Sequence, residues 1–133
     1  MLTPGHVIDG RYEIVGPLGA GGMGQIYKAR RVTLGDEVAL KVLLSPDADR
    51  EARERFLRES RASAQLRHPP IVSILDFDMD AEGRPFLVME LARGRPLSEL
   101  FRKGELNLAR AVAITAEVAA ALSVAHQAGL VHR

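Results

Sequence analysis

The sequence predicts an α+β fold, in which a five-stranded antiparallel sheet with one helix is followed by a helical segment. Three observations support this prediction. Residues 12–31 read as a strand, a glycine-rich turn and a second strand, which together form a hairpin. Three further runs also have the composition of strands, and a charged helical segment follows the first of them. Beyond residue 96 the apolar residues recur at helical spacing, so sheet and helices occupy different parts of the chain.

The predicted strands lie near residues 12–20, 25–31, 37–44, 71–78 and 85–91. Gly35-Asp36 is predicted to form the turn between the second and third strands. The charged helix is expected from about residue 49 to residue 66, because the prolines that follow cannot continue it.

Two helices are predicted after the sheet, a short one near residues 97–103 and a long one near residues 107–127. Asn107 is suited to cap the N-terminus of the long helix, and Gly129 is suited to end it. The apolar stretch that contains this helix is rich in alanine and is interrupted by Arg110, Glu117 and His126. We therefore expect a buried or amphipathic helix and not a membrane span.

Composition limits the functions to be considered. The 133 residues suffice for one ordinary domain, and 47% of them are hydrophobic. A formal net charge of +1 gives no overall field that would attract nucleic acid or an anionic membrane. The absence of cysteine excludes disulfides and thiolate metal sites, and the N-terminus has no signal-peptide pattern. We expect a cytoplasmic location, with membrane anchoring left open for a full-length form.

The glycine-rich turn, Gly19-Ala20-Gly21-Gly22-Met23-Gly24, has the spacing of a loop that lies close to phosphates. Two common classes of phosphate loop do not fit its surroundings. A dinucleotide-binding fingerprint needs a helix directly after the glycines, whereas a strand is predicted there. A Walker A loop ends in Gly-Lys-Ser/Thr, whereas Gly24 is followed by Gln25.

Further motifs follow the glycine loop in a fixed order. They are Val38-Ala39-Leu40-Lys41, a helix that carries glutamate, His68-Pro69, Val88-Met89-Glu90 and the segment from Ala125 to Arg133. Together these motifs resemble the N-terminal half of a protein kinase domain, and they are most similar to the bacterial serine/threonine kinases of eukaryotic type. The resemblance covers about residues 12–133 and implies an enzyme that transfers the γ-phosphate of ATP to protein hydroxyls.

The resemblance implies that Lys41 contacts the α- and β-phosphates of ATP. Strand alternation places Lys41 and Ala39 on one face, beneath the glycine loop. Glu59 is the predicted partner that holds Lys41, because it shares a helix face with Phe56, and that apolar side chain must face the sheet. Glu54 lies off this stripe. Lys41 and Glu59 are therefore the predicted catalytic pair.

The remaining ATP contacts are also implied by the resemblance. Leu18, Ile26 and Ala39 would sandwich the adenine ring, Met89 resembles the gatekeeper, and the backbone of residues 90–92 resembles the hinge. The predicted ATP-binding set is Leu18, Gly19, Ala20, Gly21, Gly22, Met23, Gly24, Gln25, Ile26, Ala39, Lys41, Met89, Glu90 and Ala92.

The kinase pattern also predicts the boundaries of the lobes. Residues 1–11 would be an N-terminal tail, 12–92 the N-lobe, 93–96 the hinge and 97–133 the start of the C-lobe. His132 and Arg133 resemble the start of the catalytic loop. The catalytic aspartate and the magnesium ligands would follow Arg133, so we expect no metal ligand and no phosphotransfer in this chain alone. The full-length kinase would use ATP, magnesium and a protein substrate.

Two functions remain open at this point. One is a serine/threonine kinase, of which this chain is the ATP-binding part. The other is a truncated or pseudokinase-like module that binds nucleotide or docks on partners. The presence of both Lys41 and Glu59 favours the enzyme, because a non-catalytic relative has less need of the pair.

Overall fold

The computed structural model describes residues 1–21, 24–43 and 50–131, with the backbone alone described at residues 21, 50, 52, 53 and 59. The elements in these ranges are β1 (Val7–Ile8), β2 (Tyr12–Gly21), β3 (Gly24–Arg31), β4 (Glu37–Val42), α1 (Arg50–Ala64), β5 (Ile74–Met79), β6 (Pro85–Glu90), α2 (Leu97–Arg102) and α3 (Leu108–Gln127). The predicted order of elements, with the sheet and one helix before the helical segment, is confirmed.

The strands form one antiparallel sheet with the order β1-β2-β3-β4-β6-β5. The sheet has six described strands, so the predicted number of five was wrong. The additional strand is β1, in which Val7 pairs with Glu13 and Ile8 with Tyr12. The turn into β2 contains Asp9-Gly10, and both residues have positive φ, at 49° and 65°. Asp and Gly tolerate this conformation, which suits a tight hairpin turn.

One face of the sheet carries the main core. Alternate residues of the central strands, among them Tyr27 in β3, Leu40 in β4 and Phe86 in β6, are fully buried on this face. The edge of the Tyr12 ring meets Phe86 at a centroid distance of 5.9 Å. The period-two burial follows from the alternation of side chains along a strand, and it leaves the residues between them on the opposite face.

An ion network closes this curled sheet between its two edges. Arg11, at the turn into β2, donates from Nη1 to Asp76 Oδ2 at 2.8 Å and from Nη2 to Asp78 Oδ2 at 2.7 Å. The Tyr12 hydroxyl donates to Asp76 Oδ2 at 2.7 Å. Because β1 and β5 lie at opposite ends of the strand order, these contacts require a strongly curled sheet.

The opposite face of the sheet is covered by α1. Phe56 is only 2% exposed and packs with Leu43 and Leu87, and its ring lies 6.1 Å from that of Phe77 in β5. The buried hydroxyl of Ser60 donates to the Phe56 carbonyl at 2.7 Å, which removes an unpaired polar group from the contact. Helix α1 therefore packs on the sheet through one narrow apolar stripe.

Both predicted caps of α3 are confirmed. The Asn107 side chain accepts a hydrogen bond from the Arg110 amide at 2.8 Å. Gly129 has a φ of 78°, and the Leu130 amide donates to the Ala125 carbonyl at 2.9 Å. This 6→1 bond after a left-handed glycine is the Schellman arrangement that ends many helices.

Helix α3 differs from the sequence prediction in its burial. It contains no buried residue, and Leu108 and Val112 are 81% and 61% exposed. Among the described residues it is the helix that is long and apolar enough to cross a membrane, with a mean hydropathy of 1.6. Core helices of soluble proteins meet the same criterion of length and composition.

Candidate nucleotide-binding site

The sheet register brings four predicted site residues onto one face. Lys41 in β4 lies opposite Ile26 in β3, and Ala39 lies opposite Met89 in β6. Directly opposed residues of antiparallel strands project to the same side of the sheet. Lys41 and Ala39 are two residues apart and share this side, which is opposite to that of the buried Leu40. We call the surface formed by Ile26, Ala39, Lys41 and Met89 the site face.

Helix α1 packs on the site face and contacts Lys41. The Lys41 Nζ atom lies 5.7 Å from the centroid of the Phe56 ring, within the range of a cation–π contact. Phe56 thus limits the movement of the lysine, while Phe56 itself is fixed by its burial. Glu59 lies one turn further along α1, but its side chain is outside the described residues, so its pairing with Lys41 stays a prediction. Glu54 is exposed.

The glycine loop is the end of the hairpin formed by β2 and β3, which we call the glycine hairpin. Gly19 pairs with Ile26, Ala20 with Gln25, and the backbone of Gly21 with that of Gly24. Gly22 and Met23 lie outside the described residues. Because Gly24 begins a strand and not a helix, the hairpin predicted from the sequence is present and a dinucleotide-binding fingerprint is excluded.

Gly19 and Gly24 serve different purposes. A Cβ atom at Gly19 would meet no other atom within 4 Å, so the backbone there is open to a ligand. A Cβ atom at Gly24 would lie 2.3 Å from the carbonyl oxygen of Val42, the residue after Lys41. Gly24 therefore allows the hairpin to approach the end of β4, which carries Lys41.

The predicted adenine contacts lie at the centre of the site face. Ala39 is 8% exposed and is a small residue that lies between Lys28 of β3 and Met89 of β6 in the register. Met89 packs against the apolar cluster that contains Phe56. Leu18 falls in an irregularity of β2 between Pro17 and Gly19 and is 50% exposed, so it lies at the rim.

Gln25 does not direct its side chain to the site face. It is two residues from Tyr27 in β3, and its Oε1 atom accepts a hydrogen bond from the Tyr27 hydroxyl at 2.6 Å. Tyr27 belongs to the main core on the opposite side of the sheet. Gln25 therefore remains in the predicted ATP-binding set through its backbone only.

The predicted hinge continues from β6. The Glu90 amide donates to the Ser73 carbonyl at 2.9 Å and is therefore already used within the protein, whereas Ala92 is exposed. Further along, the Arg95 guanidinium makes two hydrogen bonds to the Glu105 carboxylate, one of them at 3.1 Å. This bidentate pair ties the hinge segment to the connection between α2 and α3. The predicted catalytic-loop residues His132 and Arg133 lie outside the described residues.

One charged residue on the site face was missed by the sequence analysis. Lys28 lies opposite Ala39 in the register, and its Nζ atom pairs with Glu37 Oε1 at 2.7 Å. The alternation of β3 contained the signal, since Lys28 follows Ile26 by two residues. The pairing with Glu37 balances the charge of Lys28 beside the place assigned to the base. Lys41, opposite Ile26, is the cation nearer the glycine loop.

Comparison with known proteins identifies the family. The sequence profile of the protein kinase domain matches residues 12–133. The chain belongs to the protein kinase family. The match begins at β2 and extends through α3, so the kinase homology includes the exposed helix as well as the sheet.

Similar kinases come from several bacteria. The DNA damage-responsive serine/threonine-protein kinase RqkA of Deinococcus radiodurans is 44% identical over 99% of this chain, which corresponds to 20% of RqkA. The serine/threonine-protein kinase PknA of Mycobacterium tuberculosis is 45% identical over 97% of this chain, which corresponds to 31% of PknA. The chain thus spans a fifth to a third of the length of these relatives.

A solved structure shows the same fold. A crystal structure of the Mycobacterium tuberculosis PknI kinase domain superposes with a TM-score of 0.80 at 36% identity. It is matched over 100% of this chain and 55% of the PknI chain. The kinase described here therefore has the fold of the N-terminal part of such a domain.

Proposed function

We propose that this chain is the ATP-binding part of a serine/threonine protein kinase that transfers the ATP γ-phosphate to protein serine and threonine hydroxyls. The observation that carries the proposal is the position of Lys41. It projects onto the site face opposite Ile26, next to the glycine hairpin, and packs against Phe56. A lysine held under a phosphate-binding hairpin by a helix supplies the charge neutralisation that phosphoryl transfer requires.

The site face suggests how the nucleotide is oriented. The base would lie against Ala39 and Ile26, with Met89 behind it and the backbone of Ala92 at its edge. The phosphates would then extend toward Gly19 and the ammonium of Lys41. Glu59 would hold Lys41 in place, since a lysine side chain is a flexible point charge that binds phosphate best when fixed.

In the described part of the chain, no group of three or more His, Asp or Glu side chains could hold a metal ion. Magnesium would supply charge neutralisation at the β- and γ-phosphates. Its ligands and the catalytic base would come from kinase residues beyond this chain. Because ATP would be the phosphate donor, we also propose a cytoplasmic location for this part of the protein.

Helix α3 is proposed to be a helix of the second kinase lobe and not a membrane span. The kinase profile extends across it to residue 133, and the matched kinases are longer than this chain. The remainder of a complete kinase domain would cover the apolar side chains that are exposed on α3.

The proposal is tested by phosphotransfer in the complete kinase domain. We expect labelled phosphate from [γ-³²P]ATP to appear on serine or threonine, and we expect Lys41→Ala to abolish this transfer. Lys103→Ala is the matched control, because Lys103 pairs with Glu99 on the surface of α2 at 2.7 Å. Nucleotide binding without transfer would favour the docking module, and binding of neither ATP nor ADP would refute the proposal.

The coding sequence after Arg133 gives an independent test. An aspartate codon followed by asparagine five positions later would complete the catalytic loop of the enzyme. An immediate stop codon would favour the non-catalytic module.

A further inference from the structure

Val7 and Ile8 form strand β1 of the sheet, and residues 2–6 lie beside it, although the match to the protein kinase profile begins only at residue 12. Ile8 is 1% exposed, and Leu2 packs against the same core cluster. The Gly5 amide donates to the Ile14 carbonyl at 2.9 Å, and the Ile14 amide donates to the His6 carbonyl at 2.8 Å. The segment predicted to be a tail is thus fixed to the face of the sheet that carries the main core.

A chain of two hydrogen bonds leads from this segment to the glycine hairpin. The Leu2 amide donates to the Tyr27 hydroxyl oxygen at 3.0 Å. The same hydroxyl donates to Gln25 Oε1 at 2.6 Å. Tyr27 is fully buried, and its one donor and one acceptor function are each used once. The Tyr27 hydroxyl therefore connects the start of the chain with the first residues of β3.

Gln25 occupies the position at which such a connection matters for the site. Its backbone lies between Ala20 in β2 and Val42 in β4. Ala20 belongs to the glycine loop, and Val42 directly follows Lys41. The side chain of Gln25 faces away from the site face, toward Tyr27. A restraint on the Gln25 side chain from the main-core face therefore fixes the glycine-loop end of the hairpin relative to the strand that carries Lys41.

We propose that residues 1–8 form a strap that positions the glycine hairpin, and that Tyr27 is the positioning residue through which it acts. The inference rests on the proposed ATP-binding function. Removing the Tyr27 hydroxyl leaves the side-chain Oε1 atom of Gln25 and the backbone amide of Leu2 without this partner, at a part-buried position. The hairpin then loses its restraint on the main-core face of the sheet. Its contacts with the phosphates weaken, while the contacts with the adenine base remain.

Affinity measurements for ADP and for adenosine distinguish this role from a general loss of stability. ADP carries the α- and β-phosphates assigned to Lys41 and the hairpin, whereas adenosine carries none. In the complete kinase domain we expect Tyr27→Phe to weaken ADP binding about fivefold, which is the middle of the range expected for one hydrogen bond. Adenosine affinity is expected to change less than about twofold. Isothermal titration calorimetry provides both values.

Tyr12→Phe is the matched control. Tyr12 is also a buried tyrosine, and it lies at the far end of the same hairpin. The substitution removes its hydroxyl, which donates to Asp76 at 2.7 Å. We expect this variant to lower the unfolding temperature and to leave both affinities unchanged. Deletion of residues 1–6 is expected to reproduce the ADP effect of Tyr27→Phe, and combining the two changes is expected to add nothing further.

The inference is overturned if Tyr27→Phe leaves ADP affinity unchanged, if it weakens adenosine binding equally, or if its effect adds to that of the deletion. Its failure is separable from that of the proposed function. A wild-type domain that binds neither ADP nor ATP would contradict the function itself. A wild-type domain that binds ADP normally, with no effect in Tyr27→Phe, would contradict the strap alone.

Discussion

Lys41 obtains its orientation from the sheet and its restraint from a helix. The register of β3 and β4 decides the face on which it projects, and the contact with the Phe56 ring limits its side-chain rotamers. A charge placed in this way loses little conformational entropy when it binds phosphate. Glu59, the predicted partner of Lys41, and Gly24, which lies beside Val42, lead to separate predictions.

Glu59 is expected to hold Lys41, because the helix face defined by Phe56 points to the sheet. Removing one partner of a buried, hydrogen-bonded ion pair costs about 3–5 kcal/mol. We expect Glu59→Ala to lower kcat/KM for ATP by at least about a hundredfold in the complete kinase domain, measured by steady-state phosphotransfer. Glu54→Ala, on the exposed side of α1, is expected to change it less than about threefold. Equal losses in the two variants would disprove the assignment of Glu59.

Gly24 is expected to be required for packing. A Cβ atom there would lie 2.3 Å from the Val42 carbonyl oxygen, so the backbones of β3 and β4 would have to separate. We expect Gly24→Ala to lower the free energy of unfolding by about 1–3 kcal/mol, which is typical of overpacking. Chemical denaturation measures this change.

Gly16→Ala is the control for Gly24→Ala. A Cβ atom at Gly16, in the same hairpin, would meet no atom within 4 Å, so its effect should stay within about 0.5 kcal/mol. A Gly24→Ala variant that is as stable as the Gly16→Ala variant would show that β3 and β4 do not approach as closely as described.

At the scale of elements, the two edges of the sheet are held together by the network of Arg11, Tyr12 and Asp76. Burial alone would raise the pKa of Asp76, but hydrogen bonds from the Tyr12 hydroxyl and the Phe77 amide, together with the charge of Arg11, lower it. Burial and the hydrogen bond to Asp76 raise the pKa of Tyr12 to about 12. The folded state therefore favours an ionised Asp76 beside a neutral Tyr12.

This arrangement predicts an acid-sensitive closure of the sheet. Because the pKa of Asp76 is lowered in the folded state, its contribution to stability is present above the unfolded pKa of about 3.9 and is lost as the pH falls below it. At pH 7 we expect the unfolding temperature of the wild type to be higher than that of Asp76→Asn. This difference in unfolding temperature should shrink below about pH 4. Thermal unfolding of both proteins across this range measures the effect, and a difference independent of pH would contradict it.

The sequence predicted most elements because each carried a local signal. Alternation identified β3, and Asn107 and Gly129 identified the ends of α3. Strand β1 was missed because a strand of two residues is too short for alternation to be visible, although Asp9-Gly10, between Val7-Ile8 and the strand that begins at Tyr12, is a hairpin signal.

The site was predictable to the extent that strand alternation determines it. Lys41 and Ala39 follow from that rule. Once Tyr27 is assigned to the core, the same rule also places the Gln25 side chain on the main-core face. The hydrogen bonds from Leu2 to Tyr27 and from Tyr27 to Gln25 could not be predicted, because only the folded sheet brings Leu2 to Tyr27. The approach of Gly24 to Val42 likewise depends on the path of two backbones, which no local pattern encodes.

At the scale of the whole molecule, the sheet has a closed core whereas α3 has an exposed apolar surface. Val118 and Leu122 are 48% and 36% exposed and share a helix face with Ile114. An apolar surface of this kind favours association when it is not covered. The effect of polar substitutions on this face should therefore depend on whether the rest of the kinase domain is present.

We expect the double substitution of Val118 and Leu122 by serine to have opposite effects in two contexts. In the isolated 133-residue chain it should reduce aggregation, measured by light scattering, because less apolar surface is exposed. In the complete kinase domain it should lower the free energy of unfolding by about 2–5 kcal/mol, because the side chains are then buried. Ala120→Ser, on the opposite side of α3, is the control. Stability of the complete domain unchanged by the double substitution would contradict the assignment of α3 to the second lobe.

The proposed nucleotide site requires that Lys41 lies beside the phosphates of bound ATP. The chain contains three lysines, Lys28, Lys41 and Lys103, which provide internal controls for a lysine-reactive acyl-phosphate derivative of ATP. Mass spectrometry of the labelled complete kinase domain should find the acyl group on Lys41, and excess ATP should prevent the labelling. Lys28, paired with Glu37 beside the base, and Lys103 on α2 should remain unmodified. Labelling that is equal on all three lysines, or that excess ATP does not reduce, would contradict the nucleotide site described here.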